Sequence, residues 1–140
     1  IIIEEIEDLV INYNAKKIHF TEPVFNYPID HAQAVCEGII DKKLNFQWEA
    51  FYNEKDINRD FIKLTLDAGC SKFYFSPDVY DNKMLQNLKR NISRKDIRNV
   101  FKFAFKEKKM KATFSFFRWI PDETFRSIFR TIFFVLRLKE

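Results

Sequence analysis

The chain has 140 residues, enough for one domain but too few for two. It is 46% hydrophobic and can bury a core, with 17 Phe but only 2 Gly; that shortage of glycine argues against a P-loop or a Rossmann dinucleotide site, whose phosphate turns need several glycines. The net charge of +4 hides an asymmetry, net −7 over residues 1–82 and net +11 over residues 83–140. The basic half raises an anion- or RNA-binding reading, weighed against the ordinary one of solvated helix faces.

Two cysteines far apart, Cys36 and Cys70, give neither a disulfide framework nor a metal set. They read as reduced thiols in a cytoplasmic core. No apolar run reaches the ~20 residues of a membrane span, and no signal peptide is legible, so no membrane partner is expected. The start at Ile-Ile-Ile-Glu without Met reads as a piece of something longer.

In chain order, Ile2, Ile3, Ile6, Leu9, Val10 and Tyr13 recur at helical spacing. Ile18-His19-Phe20 reads as a first strand, ending in Thr21-Glu22-Pro23. Pro28 and Asp30 open a second helix that buries Ala32, Val35, Cys36, Ile39 and Ile40. Asn45 to Phe51 alternates as a second strand, with Phe46, Trp48 and Ala50 on one face. Asn58 caps a third helix that ends at Gly69, the usual residue for a left-handed C-terminal position.

Phe73-Tyr74-Phe75 is a buried third strand stopped by Ser76-Pro77-Asp78, since Pro77 lacks a ladder N–H. A fourth helical region comes in two pieces, Lys83 to Lys89 and a second capped by Ser93-x-x-Asp96. Ala112 to Ile120 is the fourth strand. Pro121-Asp122-Glu123 opens a last helix that buries Phe125, Ile128, Phe129, Ile132, Phe133 and Leu136.

Strict alternation of helix and strand predicts an α/β fold with a parallel sheet and right-handed crossovers. Strand starts near 18, 45, 72 and 112 give two equal first intervals, a repeated β-loop-α unit. Without a Gly-rich first turn this favours a partial TIM-like (β/α) barrel segment of about four strands, with helices on the outer face. Parallel strands bring their carboxyl ends to one rim. There the reading gathers Thr21, Glu22, Glu49, Tyr52, Ser76, Asp78, Arg118 and Trp119. His19 and His31 lack a second ligand at i+4 and read as structural.

Lys17-Ile-His-Phe-Thr-Glu-Pro-Val-Phe25, Phe61 to Cys70, Ser76-Pro77-Asp78, Ser93-x-x-Asp-Ile97 and Trp119-Ile-Pro-Asp-Glu-Thr124, in this order and spacing, resemble the core of radical S-adenosylmethionine enzymes, especially the group associated with cobalamin. The resemblance covers nearly the whole chain. It implies a single domain over 1–140 holding strands two to five of a six-strand partial barrel. The Cys-x3-Cys-x2-Cys loop that ligates a [4Fe–4S] cluster would lie outside it.

The resemblance also implies S-adenosylmethionine as cofactor, cleaved reductively at the cluster, and cobalamin as a further cofactor of the parent protein. Thr21 and Glu22 would hold the methionyl amino group, Glu49, Ser76 and Asp78 the carboxylate or ribose, and Trp119 the adenine. The family's Gly-Ile-Glu, and the glycines flanking its proline, are replaced here by Ser76-Pro77-Asp78, Trp119-Ile120 and Asp122. These losses, with the missing cluster loop, motivate a second reading, a non-catalytic barrel remnant acting as an interaction module. The rest of the parent chain is the expected partner, and the substrate class, small or macromolecular, stays open.

Overall fold

The computed structural model describes residues 1–137. The order is α1 (Ile2–Ile11), β1 (Lys17–Phe20), α2 (Ile29–Asp41), β2 (Gln47–Tyr52), α3 (Arg59–Asp67), β3 (Cys70–Asp78), α4 (Asn82–Asn87), α5 (Arg94–Lys106), β4 (Ala112–Phe116) and α6 (Phe125–Arg137). The four strands form one sheet in sequential order β1-β2-β3-β4, and each neighbouring pair is parallel. This is the expected α/β segment of a TIM-like barrel. The strands begin at Lys17, Gln47, Cys70 and Ala112, so the equal spacing read from the sequence does not hold.

Side chains alternate across the sheet. Trp48, Ala50, Tyr52, Phe73 and Phe75 are buried in one core with Ile6 of α1, Val35 and Ile39 of α2, Phe61 of α3 and Val100 of α5. The opposite face carries Lys17, His19, Gln47, Glu49, Phe51, Lys72, Tyr74, Thr113 and Ser115, none of them buried. The helices therefore lie against one face and leave the other open.

Local signals explain most boundaries. The Asn58 side chain accepts the Phe61 N–H at 2.9 Å, and Ser93 with Asp96 completes a capping box. Gly69 adopts φ +93°, and a Cβ there would meet the Phe46 carbonyl oxygen at 2.6 Å. This close approach lets α3 turn straight into β3.

Other expectations fail too: Ile40 of α2 is exposed, and β4 ends at Phe116 rather than Ile120. β3 does not stop before Pro77; it runs on to Asp78 through a register shift between Phe75 and Asp78, which absorbs the missing proline N–H. α1 buries only Ile6, and Leu9 and Tyr13 are exposed. α6 buries Ser127 and Thr131, while Phe125, Phe129, Phe133 and Leu136 face outward. Its inner face is polar because Thr131 Oγ1 accepts the Tyr80 N–H at 3.1 Å. No described helix is long and apolar enough to cross a membrane.

Candidate functional site

Parallel register brings the carboxyl ends of β1, β3 and β4 to one edge of the sheet. Thr21 and Glu22 follow β1 directly and are exposed, with nothing packed over them. Ser76 and Asp78 form the last turn of β3, and Trp119 lies three residues beyond β4.

Glu49 is not on this rim. It sits in the middle of β2 on the open face, paired in register with His19 and Lys72. Tyr52 is also misplaced by the sequence reading. Its ring lies on the helix side, 3% exposed, and its hydroxyl is 3.3 Å from Cys70 Sγ. Strand phase decides Tyr52, since a shift of one residue exchanges the faces, and the run of β2 on to Tyr52 leaves Glu49 three residues short of the strand end.

Glu49 instead organises a charged cluster. Its Oε2 is 2.7 Å from Lys17 Nζ and its Oε1 is 3.4 Å from His19 Nδ1. The Lys17 ammonium beside it holds the Glu49 carboxyl below the usual range, with the His19 ring adding to it, and the Glu49 carboxylate in turn raises Lys17. Phe51 and Tyr74 stand edge-on to the His19 ring, at 5.8 and 6.2 Å between centroids. The sequence reads His19 as structural and gives Lys17 no role, because the i, i+2 pair takes its meaning from Glu49 on the next strand.

At the rim Asp78 is bound by Arg90, Oδ2 to Nε at 3.3 Å, and the Arg90 guanidinium also donates to the Ser76 carbonyl at 2.7 Å. Partial burial raises the Asp78 carboxyl, and Arg90 counteracts it. Glu54, two residues beyond β2, is 2% exposed, and neither carboxylate oxygen has a hydrogen-bond partner. Burial pushes its pKa up to about 7; Arg90 opposes this shift, and Asp78 and Asp96 reinforce it. Between Asn53 and Lys55 it reads in sequence as a solvated loop acid, and no pattern distinguishes it.

The loop after β4 stores strain. Trp119 and Asp122 both adopt φ +62°, and Asp78 adopts φ +64°. A left-handed backbone favours glycine, and Trp119 and Asp122 stand where the resembled family carries glycines, while Asp78 stands where it carries Glu. The Trp119 N–H donates to Glu123 Oε2 at 2.7 Å, which fixes the turn, and the indole is 88% exposed.

The donor set fits a zwitterion with a ribose. Carboxylates for an ammonium or hydroxyls stand at Glu22 and Asp78, and a cation for a carboxylate stands at Lys17, which Glu49 holds on the open face. It does not fit an iron–sulfur cluster. Cys36 and Cys70 are buried on the helix side with thiols pushed by burial up to about 12, and the described residues contain no group of three metal-binding side chains.

No family model matches the chain. An uncharacterised methyltransferase of Pyrococcus horikoshii is 26% identical over 137 residues, covering 98% of this chain and 30% of that protein. The radical S-adenosylmethionine methyltransferase TsrM of Kitasatospora setae, solved with cobalamin and a [4Fe–4S] cluster bound, superimposes with TM-score 0.85 at 16% identity over 98% of this chain and 28% of its own. Coproporphyrinogen III oxidase (HemN) of Escherichia coli, a radical S-adenosylmethionine enzyme, gives TM-score 0.70 at 12% identity over 96% and 34%. The chain thus spans about a third or less of these proteins, and it shares its fold with part of these solved radical S-adenosylmethionine enzymes.

Proposed function

We propose that this chain, which shares its fold with radical S-adenosylmethionine enzymes, forms the part of such an enzyme that holds S-adenosylmethionine. The domain would be strands two to five of a six-strand partial barrel. The parent would cleave S-adenosylmethionine reductively at a [4Fe–4S] cluster, and a cobalamin-associated methyl transfer is the form its relatives favour. The cluster does not fit the residues of this chain, so its ligands would belong to the rest of the parent, and no step is drawn through it.

The observation that carries this reading is the common edge of three parallel strands, with Thr21, Glu22, Ser76, Asp78 and Trp119 on it. Thr21 and Glu22 accept the methionyl ammonium. Asp78 and Ser76 take the ribose hydroxyls, with Arg90 holding Asp78 in place. Trp119 covers the adenine. Glu49 would not meet the methionyl carboxylate itself, because like charges repel. It acts through Lys17, whose ammonium it holds on the open face.

Binding can be measured without the cluster. Titration of the full-length protein with S-adenosylhomocysteine is expected to give saturable binding that Glu22→Gln or Asp78→Asn weakens about tenfold, the scale of one charge-assisted hydrogen bond. Equal binding by wild type and both variants, or no binding, overturns the assignment. No binding by a folded protein would instead favour the non-catalytic interaction module.

A further inference from the structure

We infer that the groove between α5 and α6 binds single-stranded nucleic acid through its phosphates. The groove holds about 620 Å³ and is lined by Arg94, Arg98, Lys102, Arg130 and Arg137, with no acidic side chain in its lining. The groove shares no lining residue with the S-adenosylmethionine site and does not depend on it.

Charge bookkeeping separates this groove from an ordinary basic helix face. Asp81 neutralises Arg130 alone. Arg98 spends its guanidinium on the neutral Tyr80 hydroxyl, at 3.1 and 2.9 Å. Arg94 stands over the Tyr80 ring, 4.6 Å from its centroid, and its Nε is buried without an acceptor. Among the described residues Arg94, Arg98, Lys102 and Arg137 form no salt bridge. The cleft on the other flank of α5 contrasts with it: there Arg59, Lys63, Lys106 and Lys109 share the lining with Asp67 and Glu107. Four uncompensated cations facing one groove repel each other, and an incoming polyanion relieves that repulsion.

The geometry suits one strand. Arg94, Arg98 and Lys102 recur every fourth residue and make a line of about 12 Å down α5. Three cations along that line can meet about three phosphates of one strand. Phe133, 57% exposed, lines the same groove and offers a ring on which a base can stack.

Fluorescence anisotropy with a 12-nucleotide single-stranded RNA, its DNA counterpart and a duplex of the same length tests the proposal on the full chain. Single strands should bind more tightly than the duplex. With about three phosphates engaged, affinity should fall roughly tenfold between 50 and 200 mM salt. Lys102→Glu/Arg137→Glu should weaken binding at least tenfold, and the milder Lys102→Ala/Arg137→Ala less so. Lys16→Glu/Lys63→Glu, the same change in net charge elsewhere, should leave it within about twofold. Phe133→Ala should cost about fivefold or more, as base stacking does. The proposal is overturned by absence of single-strand binding at 50 mM salt, by equal loss in the two charge-reversal pairs, or by anionic vesicles binding where RNA does not.

Discussion

Glu49 and His19 face each other across the β1–β2 ladder, Oε1 to Nδ1 at 3.4 Å, while Lys17 closes on the other carboxylate oxygen at 2.7 Å. One acid on the open face thus gathers two bases from the neighbouring strand. Its carboxyl is held below its ordinary value, so the stabilisation it brings is present above the unfolded pKa near 4.5 and is lost as pH falls below it. Denaturant titrations at pH 7 and pH 3.5 are expected to show a smaller acid loss for Glu49→Gln than for wild type. An identical loss would mean that the cluster does not couple to folding.

Glu54 has the opposite sign. Its folded pKa of about 7 stands above the ordinary 4.5, so native protein binds the extra proton and stability declines from pH 4.5 to about 7. At roughly 1.4 kcal/mol per pKa unit the charged, partnerless carboxylate costs up to about 3 kcal/mol above pH 7. Glu54→Gln should therefore stabilise the protein at pH 8 and change little at pH 4, as read by urea midpoints at the two pH values. A substitution that destabilises at pH 8 would reveal a cationic partner for this side chain.

Trp119 holds a left-handed backbone at φ +62° with its ring in solvent. Trp119→Gly should leave stability unchanged or raise it by up to about 1 kcal/mol, because the strain goes and little packing is lost. The same variant should weaken S-adenosylhomocysteine binding if the indole covers the adenine. A clear drop in melting temperature would show that the ring packs against something in the folded protein.

Gly69 allows no side chain. Gly69→Ala drives a Cβ to 2.6 Å from the Phe46 carbonyl oxygen and forces alanine to φ +93°. We expect a loss of at least about 2 kcal/mol, from steric strain and a forced shift of the β2 lead-in. Thermal unfolding measures it, and a loss below 0.5 kcal/mol would show that the turn relaxes freely.

Thr131 accepts the buried Tyr80 N–H on the inner face of α6. Thr131→Val keeps the volume and removes the acceptor, so it should cost about 1–3 kcal/mol. Thr131→Ser, which keeps the hydroxyl, should recover most of it. Equal stability of the Val variant and wild type would mean that α6 is not docked through this bond.

Local chemistry in the chain determined the elements and their direction. Alternation of helix and strand, the Asn58 and Ser93 caps and the turn at Gly69 act within a few residues, so they are legible in order, and parallel pairing follows from the crossovers. The rim residues Thr21, Glu22, Ser76, Asp78 and Trp119 were legible for the same reason, because strand ends share an edge once the strands are parallel. What depends on contacts between distant segments was decided only by the tertiary structure. Strand phase turned Tyr52 away from the rim, since period two makes the face depend on a single residue, and the extension of β2 to Tyr52 left Glu49 in mid-strand. Burial isolated Glu54, and the docking of α6 through Thr131 turned its aromatic stripe outward. The same docking gathered the cations of two distant helices into one groove, because charges far apart in sequence meet only where the helices pack.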